Sequence, residues 1–166
     1  MNDVIRDLSR IRWPAIPIAA FAAGSVFLLV NIILAPIVLD VEETLLLRYM
    51  GALLMGTDVL TGDASNALVV GVLLHYVLSA LFTLVVAMVI HRWGLLVGIV
   101  GGGLMGLALY GINMYTMTVF FEWFFAVNSN VLLLCHVLFG VTAGAVYESL
   151  DHYDLDLDWE VNRETA

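Results

Sequence analysis

Apolar residues occur along this chain in long runs, rather than in the spaced stripes that are typical of helices in soluble proteins. A helix of about 20 apolar residues crosses the hydrocarbon core of a bilayer, so runs of about 18 or more predict transmembrane helices. The pattern predicts such helices over residues 14–39, 67–90, 94 to at least 117, and 131–150. We therefore expect an all-α membrane protein whose main domain, residues 14–150, is a four-transmembrane-helix bundle.

Three segments outside these runs have other patterns. Residues 1–13 place apolar and charged side chains on opposite sides of a helix, which predicts a short N-terminal interfacial helix. Residues 44–60 form an apolar run that Arg48 and two glycines interrupt, and we expect an outer interfacial or re-entrant helix between the first two spans. Residues 151–166 hold six carboxylates and one arginine, which predicts a solvated, weakly ordered acidic tail in the cytoplasm.

The arginines predict the orientation of the bundle. Arg48 alone falls on one side of the predicted membrane. The other side holds five arginines: Arg6, Arg10, Arg12, Arg92 and Arg163. The positive-inside rule therefore predicts a multi-pass protein of the inner or plasma membrane with both termini in the cytoplasm.

The composition is typical of a membrane protein and argues against several kinds of partner and site. Hydrophobic residues make up 62% of the chain, and the mean hydropathy is +1.00. The chain has no lysine, and its six arginines face fifteen carboxylates, an acidic balance that is typical of proteins from salt-loving microbes. Without a basic patch we expect no nucleic-acid partner. A single cysteine, Cys135, excludes an intrachain disulfide and a thiol metal cluster, and no metal site is predicted.

Glycines recur at intervals of four in the third and fourth predicted spans. The third holds Gly94, Gly98, Gly102 and Gly106, and the fourth holds Gly140 and Gly144. In a bilayer, small residues at this spacing allow two helix backbones to approach closely, so these six glycines are predicted to be helix-packing positions. The partner helix could belong to this chain or to another protein.

Each predicted span also carries one strongly polar residue at a similar depth. With 1.5 Å of rise per residue, these residues lie about 9 to 12 Å below the outer ends of their helices. The predicted polar layer consists of Asn31, His75, Asn113 and His136. One interpretation is hydrogen bonding between helices, at about 0.6 kcal/mol for each bond. The other is a ligand or cofactor site, because polar and ionisable groups inside a membrane often mark function.

The functional interpretation has three versions. His75 and His136 could ligate one haem b from opposite sides, as in b-type cytochromes. They could instead bind a quinone or a lipid head group by hydrogen bonds, and both ligands would suit an electron-transfer subunit. In the third version the polar layer belongs to a proton or small-solute path of a transporter. No sequence motif distinguishes these versions.

The last predicted span carries a pattern that is similar to a known family. His136, Phe139, Gly140, Gly144 and Tyr147 follow the order H-x-x-[YF]-G-x-x-x-G-x-x-Y. With the histidine-led HYVLSALFTLVVA segment, this pattern resembles small four-helix membrane proteins related to YagU and similar archaeal families, over residues 66–150. The resemblance implies a four-helix bundle and no particular activity.

No nucleophile–base set or phosphate-binding loop occurs in the sequence. We therefore predict that the chain is not an enzyme and acts as an accessory or scaffold subunit of a membrane assembly. Its expected partners are the lipid bilayer and other membrane protein subunits or a second copy of itself. No resident cofactor is predicted; the haem- or quinone-binding subunit and the small transporter are the alternatives.

Overall fold

A computed structural model describes residues 11–61, 65–91 and 93–164, and the side chains among them up to Asp151. These residues form helices and turns, with no strand among them. The helices are α1 (Ala15–Leu39), α2 (Leu45–Met55), α3 (Ser65–Ile90), α4 (Leu95–Gly111), α5 (Met117–Phe120) and α6 (Asn130–Glu164). Most of the predicted N-terminal interfacial helix lies outside the described residues.

Four helical segments are long and apolar enough to cross a membrane. They are Ala15–Leu39, Ser65–Ile90, Leu95–Phe120 and Asn130–Asp151. These segments match the four predicted spans closely, because runs of apolar residues without a charge have few alternatives to a spanning helix. The prediction of an all-helical chain with the helices of a polytopic membrane protein is confirmed.

Helix α6 lies at the centre of the bundle. It packs along α4 on one side and along α1 on another, while α3 packs against α1 and α2. Helices α3 and α4 share only a few contacts. Helices α3 and α4 are therefore not packed against each other along their length.

Helix α2 packs on α3 with the two backbones in contact. A methyl group added to Gly51 would lie 2.1 Å from the carbonyl oxygen of Ala67, and one added to Gly71 would lie 2.0 Å from that of Leu47. Two glycines, one on each helix, thus permit the approach. The helical part of the 44–60 prediction is confirmed, and its position relative to a bilayer stays a prediction.

The third span is not one continuous α-helix. α4 ends at Gly111, the chain widens into a π-helical turn over Ile112–Thr116, and α5 ends at Phe120. The Thr118 hydroxyl donates to the carbonyl oxygen of Met114 at 2.7 Å, beside the widened turn. The predicted span to at least Met117 is confirmed, and the π-helical turn lies within it.

Helix α6 continues to Glu164, beyond its membrane-spanning part, which ends at Asp151, one residue from the predicted end. The weak order of the tail stays a prediction. The residues after Gly144 include neither glycine nor proline. Nothing in the local sequence therefore breaks the helix where its apolar part ends.

Candidate functional site

A cavity of about 150 Å³, here called the histidine cavity, lies where α1, α2, α3, α6 and the third span meet. Its walls are mostly apolar and aromatic, and its polar side chains are two histidines, one serine and one asparagine. The lining residues are Phe27, Leu46, Met50, Leu53, His75, Leu78, Ser79, Phe82, Leu109, Asn113, Met114, Met117, Phe124, Leu132, His136 and Phe139. Three of the four residues of the predicted polar layer thus line one cavity.

Both ring nitrogens of His136 are engaged in hydrogen bonds. Nδ1 lies 2.8 Å from the carbonyl oxygen of Leu132, which can only accept, so Nδ1 carries the proton. In a neutral imidazole Nε2 is then an acceptor, and the Asn113 amide Nδ2 donates to it at 3.1 Å. Because Nε2 can only accept, the amide atom of Asn113 that faces it must be the nitrogen Nδ2, and the other amide atom is Oδ1. The π-helical turn holds Asn113 on the cavity side.

His75 is buried, with 4% of its surface exposed, and only one of its nitrogens is paired. Nε2 lies 2.9 Å from the carbonyl oxygen of Gly24 in α1, so Nε2 carries the proton and donates it there. Ser79 Oγ lies 3.5 Å from the same nitrogen. Nδ1 is then a lone-pair acceptor, and it has no hydrogen-bond partner among the residues that the structure describes. It is not one of the fully enclosed polar atoms without a partner, so part of its surface stays accessible.

The ring of Phe27 contacts both histidines. Its centroid is 5.1 Å from that of His75 and 5.0 Å from that of His136. An axial histidine needs a free lone pair, which His136 lacks because both of its ring nitrogens are engaged. The residues as arranged do not fit the haem b of the alternative interpretation. Within the described ranges, no three His, Cys, Asp or Glu side chains are grouped to hold a metal ion.

Asn31 does not join the other three polar residues. It is buried in α1. It lines a second cavity of about 190 Å³ with Glu42, Asn128 and Ser129, here called the Asn31 cavity. The depth estimate placed Asn31 at a suitable level, but depth along a helix does not determine which way a side chain points. Leu46 and Leu132 line both cavities and lie between them.

Five of the six predicted packing glycines lie at the interface of α4 and α6. A methyl group on Gly102 would lie 2.2 Å from the Gly140 carbonyl oxygen, and one on Gly144 would lie 2.0 Å from that of Gly98. A methyl group on Gly106 would lie 2.1 Å from the carbonyl oxygen of His136, so this interface also positions the histidine. The sixth, Gly94, precedes α4 with φ at 85°, and a methyl group there would meet nothing within 4 Å. Gly94 therefore allows the backbone conformation of the turn and is not a helix-packing position.

The ends of three spans meet at the opposite end of the bundle. The completely buried Glu148 of α6 accepts a hydrogen bond from the Gly94 backbone N–H through Oε2 at 3.0 Å. The Tyr147 hydroxyl accepts one from the Arg12 backbone N–H at 3.2 Å. The start of α1, the connection of α3 to α4 and the later part of α6 therefore lie together.

Sequence reasoning missed two parts of the site. Phe27 lies in an apolar run where no pattern distinguishes one aromatic residue from another. Helix α2 contributes Leu46, Met50 and Leu53 to the wall, a role that the prediction of an outer interfacial or re-entrant helix over residues 44–60 did not include. The buried row Gly71, His75, Ser79 and Thr83 in α3 was the available signal, because small and polar residues at intervals of four mark the face that packs against other helices.

Comparison with known proteins adds no relative: no protein-family profile, no curated protein and no solved structure matches this chain. The resemblance to YagU-related proteins therefore stays a prediction, and the candidate site rests on its own geometry.

Proposed function

We propose that this chain is a non-catalytic membrane protein that binds the ring of a small lipophilic molecule, of the phenol or quinone class, in the histidine cavity. The observation that carries the proposal is a cavity of about 150 Å³ with aromatic walls and a few polar atoms. A cavity of about this volume in a protein core is known to bind benzene. Apolar walls with a few convergent polar groups are typical of small-molecule sites.

The aromatic walls favour a ring over an alkyl chain. Phe27, Phe82 and Phe124 line the cavity together with two imidazoles. Aromatic pairs contribute about 0.5–1.5 kcal/mol beyond the area that they bury. The partly exposed side chains of Leu78, on α3, and Met117, in the third span, also line the cavity. Because α3 and α4 share few contacts, a tail attached to the ring would leave between them into the lipid.

The predicted accessory-subunit role is compatible with this proposal. His136 has no free ring nitrogen for a haem iron, so electrons for a bound quinone would come from a partner subunit. The glycine rows no longer support a separate docking surface, because Gly98, Gly102, Gly106, Gly140 and Gly144 pack within the chain. A pull-down in mild detergent that recovers only this chain would count against a partner.

The small-transporter role is a second proposal, and it rests on the two neighbouring cavities. A solute moving from the Asn31 cavity into the histidine cavity would have to pass Leu46 and Leu132. Apolar side chains at such a constriction can gate by excluding water. The proposal expects flux of a small solute into proteoliposomes that rises in Leu132→Ala. Equal flux with and without the protein would contradict it.

Filling the cavity tests the binding proposal. Leu109 is 7% exposed and lines the cavity, whereas Leu107 on the same helix is 47% exposed and faces away from the core. Leu109→Phe places a ring in the cavity, and Leu107→Phe is the matched control. We expect propylbenzene to raise the unfolding temperature of the wild type and of Leu107→Phe, because a ligand stabilises the state that binds it.

In Leu109→Phe the shift with propylbenzene should vanish. An equal shift in all three proteins would mean that propylbenzene binds elsewhere, and no shift in the wild type would refute the proposed function. Room for one ring in the cavity makes Leu109→Phe itself at least as stable as the control.

We also propose that both termini face the cytoplasm of the inner or plasma membrane. The five arginines on one side support this orientation. The test is a cysteine at residue 166 in a Cys135→Ser background, treated in intact cells with a membrane-impermeant maleimide. Labelling only after lysis is the expected result, and labelling of intact cells would reverse the proposed orientation.

A further inference from the structure

The geometry points to a specific ligand chemistry: the histidine cavity selects a ring that carries a hydroxyl group over the same ring with only a carbonyl or ether oxygen. This inference rests on the proposed binding function and adds which chemical form is bound. Its basis is the hydrogen-bonding role of each polar atom, which is determined by the partners of that atom. Selection of a phenol or quinol over an ether or quinone is the consequence of those roles.

The decisive atom is Nδ1 of His75. The Gly24 carbonyl oxygen requires Nε2 to carry the ring proton, so Nδ1 of the neutral imidazole can only accept. Part of its surface is accessible, and no residue within the described ranges donates to it. A buried acceptor that is left unpaired loses its hydration without compensation. A ligand hydroxyl supplies the missing donor, and an ether or carbonyl oxygen cannot.

Two other polar side chains of the cavity can donate to the oxygen of the same hydroxyl. Asn113 uses one amide N–H for His136 and keeps a second N–H and its Oδ1. Ser79 keeps a hydroxyl that can donate. A hydroxyl can therefore donate to His75 and accept from Asn113 or Ser79, whereas an ether could satisfy only the donors. The site distinguishes the two ligands by one hydrogen bond.

In the alternative case the polar atoms of the cavity have only a structural role, and a water molecule donates a hydrogen bond to His75 Nδ1. In that case a phenol would only replace one hydrogen bond by another, and the hydroxyl would bring no preference. The two cases therefore differ in a measurable ratio of affinities.

The test uses three probes with the same ring and tail: propylbenzene, 4-propylanisole and 4-propylphenol. Affinities are measured by calorimetry on the full-length protein in detergent micelles, for the wild type and for His75→Leu. Dividing each probe's affinity for the wild type by that for His75→Leu removes its partition into the micelle. One net hydrogen bond predicts that this ratio is about five-fold higher for 4-propylphenol than for 4-propylanisole.

Ser25→Ala is the matched control. Ser25 Oγ lies 3.0 Å from the Tyr76 hydroxyl, so this variant also removes one hydrogen bond between α1 and α3, next to the bond of His75 with Gly24. Ser25 does not line the cavity. Ser25→Ala should keep the full preference for 4-propylphenol. If His75→Leu does not fold, His75→Phe keeps a ring beside Phe27 and also lacks the acceptor.

Two results would overturn the inference while leaving ring binding intact. In one, 4-propylphenol and 4-propylanisole bind the wild type equally after correction for partition. In the other, the preference persists in the His75 variants. Failure of all three probes to bind the wild type would instead refute the proposed function itself.

Discussion

Replacing Gly102 by alanine tests how closely α4 and α6 approach. The new methyl group would lie 2.2 Å from the carbonyl oxygen of Gly140, whereas ordinary contact begins at 3.4 Å. The atom in the way is backbone, so it cannot move aside by a change of rotamer. The two helices must therefore separate locally by about 1 Å, which also opens the neighbouring contact of Gly98 with Gly144.

We expect a loss of about 2–3 kcal/mol of unfolding free energy, because overpacking of a close-packed interface typically costs about 1–3 kcal/mol and van der Waals contact is a principal force between helices in lipid. Gly101→Ala is the control at the adjacent position. Its methyl group would lie 3.5 Å from Ile90 Cγ2, an ordinary contact. Alanine is the better helix former, so this variant should be unchanged or up to about 1 kcal/mol more stable.

The assay is unfolding in mixed micelles by added sodium dodecyl sulfate, followed by tryptophan fluorescence. Both variants introduce the same methyl group one residue apart, so differences in composition or insertion do not enter the comparison. Unfolding free energies that agree within about 0.5 kcal/mol, a typical error for such comparisons, would refute backbone contact at this interface. A gap of the expected size would support it.

Three further outcomes depend on single contacts. Gly71→Ala should release α2 from α3 and abolish ring binding in the calorimetric assay, because its methyl group would lie 2.0 Å from the Leu47 carbonyl oxygen; unchanged binding would mean that α2 is not needed for the cavity. Asn113→Leu leaves His136 Nε2 without its donor and should lower the unfolding free energy by about 1 kcal/mol; a stability equal to the wild type would contradict this bond. Gly94→Ala places a residue with a side chain at a backbone φ of 85° and should lower the unfolding free energy by about 1–3 kcal/mol. An unchanged unfolding free energy would show that the turn adapts.

The sequence was most informative about the spans themselves. An uncharged apolar run is a strong signal because a bilayer excludes unpaired backbone groups, so only the helix is available. Glycines at intervals of four predicted helix packing for the same kind of reason, and Gly98, Gly102 and Gly106 lie where expected. The pattern failed at Gly94, where it did not distinguish a packing glycine from one that a turn requires.

The site was predicted in part. His75, His136 and Asn113 share a cavity, but Asn31 faces another one. Periodicity gives the depth of a residue in a helix, and the rotation of that helix depends on its neighbours. The π-helical turn depends on hydrogen bonds such as that of Thr118 to Met114, which have no signature in an apolar run. The contribution of α2 to the cavity wall could not be predicted, because it depends on contacts between residues far apart in the chain.

The π-helical turn over Ile112–Thr116 has a consequence for how this protein can change. An extra residue in one turn rotates the later residues of the span by about 100° relative to a regular helix. Residues before Ile112 keep their positions at the interface with α6 even if the residues after the turn are rotated. Deleting one residue from the turn would restore a regular helix, turn Asn113 or its successors to another direction and leave the glycines in contact. Insertions and deletions at this turn could therefore alter ligand preference in a single step while the rest of the bundle is inherited unchanged.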